Sequence, residues 1–180
     1  MRLETARLIL RPFALSDAED LYEYGKDGRV GPIAGWPVHK SLEESRHILK
    51  TVFSAPDTFA VVEKASGKVV GSAGFVDVHR DGVSKPDNEI GYALNPAYWG
   101  RGYIPEAVME LMRYGFGNLR LATIWCSHYE GNEKSKRVIE KCGFRPMGRA
   151  VEPVPQMGEE RVAMLYALTR AEWEARSQGM

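Results

Sequence analysis

Gly100 and Gly102 stand two residues apart where an alternating strand pattern gives way to a helical one, and glycines at a helix start have a definite chemistry. The first turn of a helix carries unpaired amide hydrogens and a partial positive charge, which together bind phosphate. Glycine lets the anion come close to the backbone. Taken alone, the spacing serves a softened strand-to-helix turn equally well, so the flanking residues have to decide. Glu89 supplies a carboxylate at the start of the same stretch, and Asn132 and Ser135 stand three residues apart where a second helical pattern begins. Cys126 and Cys142 lack CxxC spacing and sit in apolar settings without an evident histidine partner. They read as core residues of a reducing compartment, not as a disulfide pair or an acyl-cysteine nucleophile, and no metal is expected.

The elements that must position these groups follow from periodicity. Glu89 to Leu94 alternates polar or small residues with Ile90, Tyr92 and Leu94, as a strand with two unequal faces does. Pro96 then ends the ladder and turns Asn95 away from helical dihedrals. From Gly102 onward, Ile104, Ala107, Val108, Leu111, Met112 and Gly115 form one apolar helical face. Leu121 to Ser127 alternates again with both sets apolar, as a strand covered on both faces would, and is expected beside the strand at Glu89. Asn132 caps a helix running to Cys142, with Gly143 as its left-handed C-terminal residue.

Composition bounds the rest. The 180 residues fit one domain, taken as 1–180, with 24 basic and 24 acidic side chains. No overall field therefore draws the chain to nucleic acid or an anionic membrane, and any anion site must be local. The longest apolar run, from Val162 to Leu168, is seven residues, far short of the roughly 20 of a membrane helix. A cytoplasmic protein, monomer or homodimer, is expected.

Earlier in the chain, Arg7 to Phe13 alternates as a first strand. Ser16 to Glu19 matches a capping box for a helix that turns Ala18, Leu21 and Tyr22 inward and stops near Gly25. Gly25 to Lys40, with Gly28, Gly31, Gly35, Pro32, Pro37 and Trp36, reads as a long ordered loop of the kind that often binds. Ser41 to Glu44 is a second capping box, for a helix burying Leu42, Ser45, Ile48, Leu49, Val52 and Phe53. Thr58 to Glu63 and Lys68 to Asp77 form a hairpin around Ala65-Ser66-Gly67. Glu159 to Leu168 is a last strand, and Thr169 to Glu172 a third capping box, for a short C-terminal helix. The order β-α-α-β-β-β-α-β-α-β-β, with that helical tail, gives an α/β fold: a mixed sheet flanked by helices in one domain.

Two separated motifs now stand in order: YWGRGY at one helix start, and Asn132-Glu133-Lys134-Ser135 followed by Val138-Ile139-Glu140-Lys141-Cys142-Gly143-Phe144. With the element order, they resemble the GNAT N-acetyltransferase superfamily, and EIGYAL…YWGRGY…EA looks most like its RimJ/RimL-type branch, which acetylates protein N-termini. The resemblance runs from RLILRPF to the last strand. It implies a sheet splayed open between the strands at Glu89 and Leu121, with acetyl-CoA in the gap. On that reading Tyr92, Ala93 and Leu94 meet the pantetheine arm as an added strand would, and Gly100, Gly102, Tyr103 and Ile104 offer amides to the diphosphate. Arg101 either pairs with a phosphate oxygen or points into solvent. The superfamily's Q/R-x-x-G-x-G/A pattern is not matched in full, since Trp99 replaces the Gln/Arg and Ile104 the final Gly/Ala. Ile104 keeps its amide, but its bulk must turn away.

Acetyl transfer to an amine needs a neutral nucleophile, a donor for the oxyanion and a proton for the departing thiolate. An α-amine, with a pKa near 8, needs less help than a lysine, near 10.4. Glu89 is placed to take the amine proton directly or through a water, or else is a strand-end carboxylate paired with a neighbour. His79, His128 and Glu130 are its rivals. The resemblance gives Asn132 a bond to pantetheine besides its cap, and gives Ser135 the proton for the thiolate. Ser135 otherwise bonds the preceding turn, and Tyr129 or Tyr103 are the local tyrosine alternatives. The acceptor amine, of a protein N-terminus or a small molecule, is expected against the Gly25 to Lys40 loop and the Val78 to Asn88 turn; the alternative of another class is a non-catalytic acyl-CoA-binding sensor, against which Glu89 and Ser135 both lean. Trp36, His39 and Tyr98 are the candidate lining residues, and Trp36 serves equally to pin the loop.

Overall fold

The computed structural model describes residues 1–177. Eight strands among them form one sheet in the order β1-β2-β3-β4-β5-β6-β8-β7. In chain order these are β1 (Leu3–Glu4), β2 (Leu8–Arg11), β3 (Thr58–Glu63), β4 (Val69–Phe75), β5 (Asp87–Leu94), β6 (Thr123–Tyr129), β7 (Arg145–Val154) and β8 (Glu159–Thr169). The helices are α1 (Ala18–Gly25), α2 (Gly31–Ala34), α3 (Leu42–Thr51), α4 (Tyr103–Gly117), α5 (Glu133–Lys141) and α6 (Arg170–Ser177). The expected order holds, with the two-residue β1 and the single-turn α2 added to it. Among the described residues no helix is long and apolar enough to cross a membrane.

Every neighbouring pair of strands is antiparallel except β5 and β6. A parallel pair needs a crossover, and α4 supplies it. Its apolar face, Ile104, Ala107, Val108, Leu111 and Met112, packs with Leu8, Leu10, Phe59, Phe75 and Ile90 into the main core. A smaller core forms on the other face between α1 and α3, from Ala18, Leu21, Tyr24 and Leu49, with Ala93 and Trp99 packed on it. Cys126 and Cys142 are buried.

Local caps behave as their chemistry requires. The Ser41 hydroxyl accepts from the Glu44 amide at 3.1 Å, and Thr169 and Glu172 cap each other reciprocally. The start of α1 differs from expectation. Asp17, not Ser16, stabilises it, accepting from the Ala14 amide at 2.8 Å and pairing with Arg11 at 2.7 Å. One turn of 3-10 helix over Leu15–Asp17 rotates the face, so Tyr24 is buried while Tyr22 lies half-buried under the Lys26 ammonium. Val52, just past the end of α3, is exposed.

Asp87 clamps the first residues of β5. Its carboxylate accepts from the Arg80 amide, the Trp125 indole of β6 and the Lys85 ammonium at 2.8–3.0 Å, with His79 close by. Burial pushes the group up, but those bonds outweigh it and bring Asp87 down from an ordinary 3.8 to about 2. A lowered carboxylate stabilises the fold above its unfolded value, and the contribution is lost as pH falls through the folded value. Asp87→Asn should therefore cost about 2 kcal/mol at neutral pH. The gap to the unchanged protein should narrow from about pH 4 and close near pH 2 in denaturant titrations.

Candidate active site

β5 and β6 pair over only four positions, from Asp87↔Thr123 to Ile90↔Cys126. Beyond them both strands continue, but apart. β5 stays with β4 as far as Leu94↔Gly71, and β6 stays with β8 as far as Tyr129↔Ala163. The Glu89 carbonyl accepts from Val76 on the β4 side, so alternation turns the backbone groups of Ile90, Tyr92 and Leu94 to the other side. The Leu94 carbonyl takes the Trp99 indole N–H at 2.9 Å. At Tyr92 both amide and carbonyl face the gap with no strand to meet them.

The gap opens into a cleft of about 460 Å3 lined by Tyr92, Ala93 and Leu94 of β5, by Gly100, Gly102, Tyr103 and Ile104, and by Asn132, Ser135 and Val138 of α5. Gly100 and Gly102 both have φ of +77°, and Gly102 is the N-cap of α4. Glycine takes that left-handed conformation at little cost, whereas other residues are strained in it, and both glycines lie on the cleft wall. Ile104 is buried in the main core, which turns its bulk inward as its place in the motif demands. Arg7, just before β2, braces the turn, donating to the Arg101 carbonyl at 2.9 Å and pairing with Glu106 at 2.6 Å.

On the far wall the Asn132 side chain accepts from the Ser135 amide at 3.2 Å. The Tyr92 hydroxyl reaches Ser135 Oγ at 2.7 Å and also donates to the Ser135 carbonyl at 3.3 Å. Burial holds the Tyr92 phenol well above its ordinary range, so it stays a neutral donor. The partner hydroxyl of Ser135 is thus Tyr92, whereas Tyr103 donates to Glu63 and Tyr129 packs under the Arg161 guanidinium.

Glu89 lies on the opposite face of β5, only 6% exposed. Its Oε2 accepts twice from Arg80, at 2.7 and 2.9 Å, and its Oε1 accepts from Ser127 Oγ at 2.5 Å. Arg80 also donates to Glu152 at 2.6 Å. Of the rivals to Glu89, His79 is bound to Asp87, His128 is buried against Tyr166 and Glu130 is exposed.

The model of the acetyltransferase (GNAT) domain matches residues 7–145. The chain belongs to the GNAT acetyltransferase family. A solved GNAT acetyltransferase from Bacillus anthracis superposes with a TM-score of 0.83 at 28% identity, covering 96% of this chain and 100% of that one. Among curated proteins, the FsC-acetyl coenzyme A-N(2)-transacetylase of Aspergillus fumigatus is 32% identical over 95% of this chain and 77% of its own. The [ribosomal protein uS5]-alanine N-acetyltransferase of Escherichia coli is 24% identical over 96% and 93%. The chain is accordingly an acetyl-CoA-dependent N-acyltransferase of the GNAT fold, in one domain.

The cleft of this acetyltransferase suits an amide-bearing polyanion. Tyr92 offers an unpaired strand edge, the glycine turn offers amides, and Arg29, Lys134, Arg137 and Lys141 line the walls without a carboxylate among the lining residues. Lys134 lies 3.5 Å above the Trp99 ring. These cations are absent from the expected site, although Lys134, Arg137 and Lys141 recur at helical spacing beside Ser135 and Val138. Four of the expected residues stand apart from the cleft walls. Arg101 does not line the cleft, since its guanidinium bends to the Ala97 carbonyl at 3.2 Å and to Glu63 at 3.7 Å. Tyr98 stacks on Tyr103 beneath Arg101, at the glycine-turn end and not the acceptor end. His39 is buried with Nδ1 2.8 Å from Ser45, and Trp36 packs on Gly31 and the α1–α3 core. Both rings pack the loop onto the core. Raising salt from about 0.1 to about 1 M shortens the screening length from about 10 to about 3 Å and should weaken acetyl-CoA binding severalfold. A Lys134→Ala/Lys141→Ala variant should respond less steeply in calorimetric titrations.

Proposed function

We propose that this enzyme transfers the acetyl group of acetyl-CoA directly to an N-terminal α-amine of a protein or peptide, in a ternary complex. The carrying observation is that the carboxylates around Glu89 are already bonded to guanidiniums. Glu89 and Glu152 share that of Arg80, and Glu159 holds Arg161 over the Tyr129 ring. A site for a polyamine would present carboxylates free of such partners. A neutral α-amine, with its pKa near 8, needs only a positioned proton acceptor. The name of the Escherichia coli relative, a protein-alanine N-acetyltransferase, agrees with this acceptor. The Aspergillus relative, an N(2)-transacetylase by name, favours a small-molecule amine as the second reading.

In this reading Tyr92 to Leu94 hold the pantetheine arm as an added strand, with Asn132 on the facing wall. Amides at Gly100, Gly102, Tyr103 and Ile104 hold the diphosphate. Acetyl-CoA supplies an activated thioester, at whose carbonyl carbon the C–N bond forms and the C–S bond breaks. Glu89 accepts the proton the amine loses, and Ser135, oriented by Tyr92, donates one to the departing sulfur. Exchange with solvent then restores both groups.

Thiol release from acetyl-CoA, measured with alanine-initiated peptides, polyamines and free amino acids, tests the acceptor. Peptides should react fastest, and a preference for polyamines would overturn the reading. Gly102→Asp and Gly102→Asn tolerate the same positive φ, yet only the first adds charge. The aspartate should lose at least tenfold in acetyl-CoA affinity relative to the asparagine, by like-charge repulsion at the diphosphate. Ser135→Ala should lower kcat about 100-fold or more while leaving acetyl-CoA affinity nearly intact.

A further inference from the structure

Glu89 is sealed on most sides. Both bonds to its Oε2 come from Arg80, and at 6% exposure the carboxylate has little access to water. Its other oxygen meets the Ser127 hydroxyl at 2.5 Å, and a carboxylate can only accept, so Ser127 donates. Ser127 is the first residue of β6 beyond the last β5–β6 pair, Ile90↔Cys126. It is half-buried, and the next residue on β5, Gly91, has no side chain to cover it. The hydroxyl therefore stands where the fork opens, with the carboxylate behind it.

We propose that Ser127 is a further catalytic residue, relaying the proton of the acceptor amine to Glu89, and that Arg80, braced by Glu152, is the positioning residue for this pair. The inference rests on Glu89 being the proton acceptor in the reading above. As the amine nitrogen bonds the carbonyl carbon, its N–H proton passes to Ser127 Oγ while the serine's own proton passes to Glu89 Oε1. The serine ends neutral and Glu89 ends protonated, so no alkoxide persists. Arg80 contributes by geometry. Its two bonds to Oε2 fix the rotation of the carboxyl group so that Oε1 meets Ser127, and Glu152, at 2.6 Å from the same guanidinium, fixes Arg80 in turn. Arg80 comes from the connection before β5 and Glu152 from β7, so the relay is assembled from chain segments on both sides of the fork.

The test compares Ser127→Ala, Ser127→Thr, Glu89→Gln, the Ser127→Ala/Glu89→Gln double variant and Arg80→Lys. Thiol release from acetyl-CoA is followed with an alanine-initiated peptide and with water alone as acceptor, alongside thermal midpoints and acetyl-CoA affinity. Ser127→Ala and Glu89→Gln should each lower kcat about 100-fold or more with acetyl-CoA affinity unchanged. Ser127→Thr, which keeps the hydroxyl, should retain most of the rate. The double variant should be no slower than the slower single one, because the two groups act as a unit. Arg80→Lys, which keeps the charge but loses the paired bonds, should lower kcat without moving the KM for acetyl-CoA. Wild-type rates in Ser127→Ala beside a slow Glu89→Gln would overturn the relay and leave Glu89 as a base served by water. Wild-type rates in Glu89→Gln would overturn the base itself and the relay with it. Additive losses in the double variant would also overturn the relay, and a lowered thermal midpoint with unchanged kcat in Arg80→Lys would reduce Arg80 to a structural role.

Discussion

The parting of β5 from β6 after four paired positions is the constraint on which the rest of the structure depends. A buried amide or carbonyl left without a partner costs about 1–3 kcal/mol, so a strand edge inside a domain is tolerated only where something else meets it. Trp99 meets the Leu94 carbonyl. Tyr92 is left for a ligand with amides of its own. The closed end of the fork resists further opening because Asp87 ties Arg80, Lys85 and Trp125 together there.

Strand alternation then divides the labour. Ile90, Tyr92 and Leu94 face the α4 side, where the Tyr92 hydroxyl reaches across to Ser135 on α5. Glu89 and Ala93 face the α1–α3 side, where Ala93 packs on the small core and Glu89 meets Arg80 and Ser127. One strand thus presents a hydroxyl pair on one face and a carboxylate on the other, with the fork between them. In the proposed reaction a donor and an acceptor would arrive from opposite faces and meet there without crossing, as direct transfer requires.

Much of this was legible in the sequence because its determinants are local. Asn132, Ser41 and Thr169 cap helices through bonds spanning three residues, and Gly143 follows α5 at φ of +81°. Periodicity likewise placed β5, α4 and β6. The contacts that were not legible are those whose partners lie far along the chain. Arg101 reaches Glu63, Tyr103 reaches Glu63 as well, and Arg80 joins Glu152 across 72 residues. Trp36 and His39 sit in a glycine-rich loop that composition marks as functional, yet their rings fill space against Gly31 and Gly25. A ring that closes a loop and a ring that binds a ligand have the same appearance in sequence. The basic stripe of Lys134, Arg137 and Lys141 was visible as spacing, but only the fold shows that it borders the cleft.

The central claim is that the fork between β5 and β6 receives acetyl-CoA as an added strand. Residue-resolved amide hydrogen exchange with and without acetyl-CoA tests it most directly. The Tyr92 amide should exchange fast in the free protein and become strongly protected in the complex, while the amides of Gly91 and Ala93, already bonded to β4, change little. Protection confined to the glycine turn, with the Tyr92 amide exchanging as before, would contradict the account.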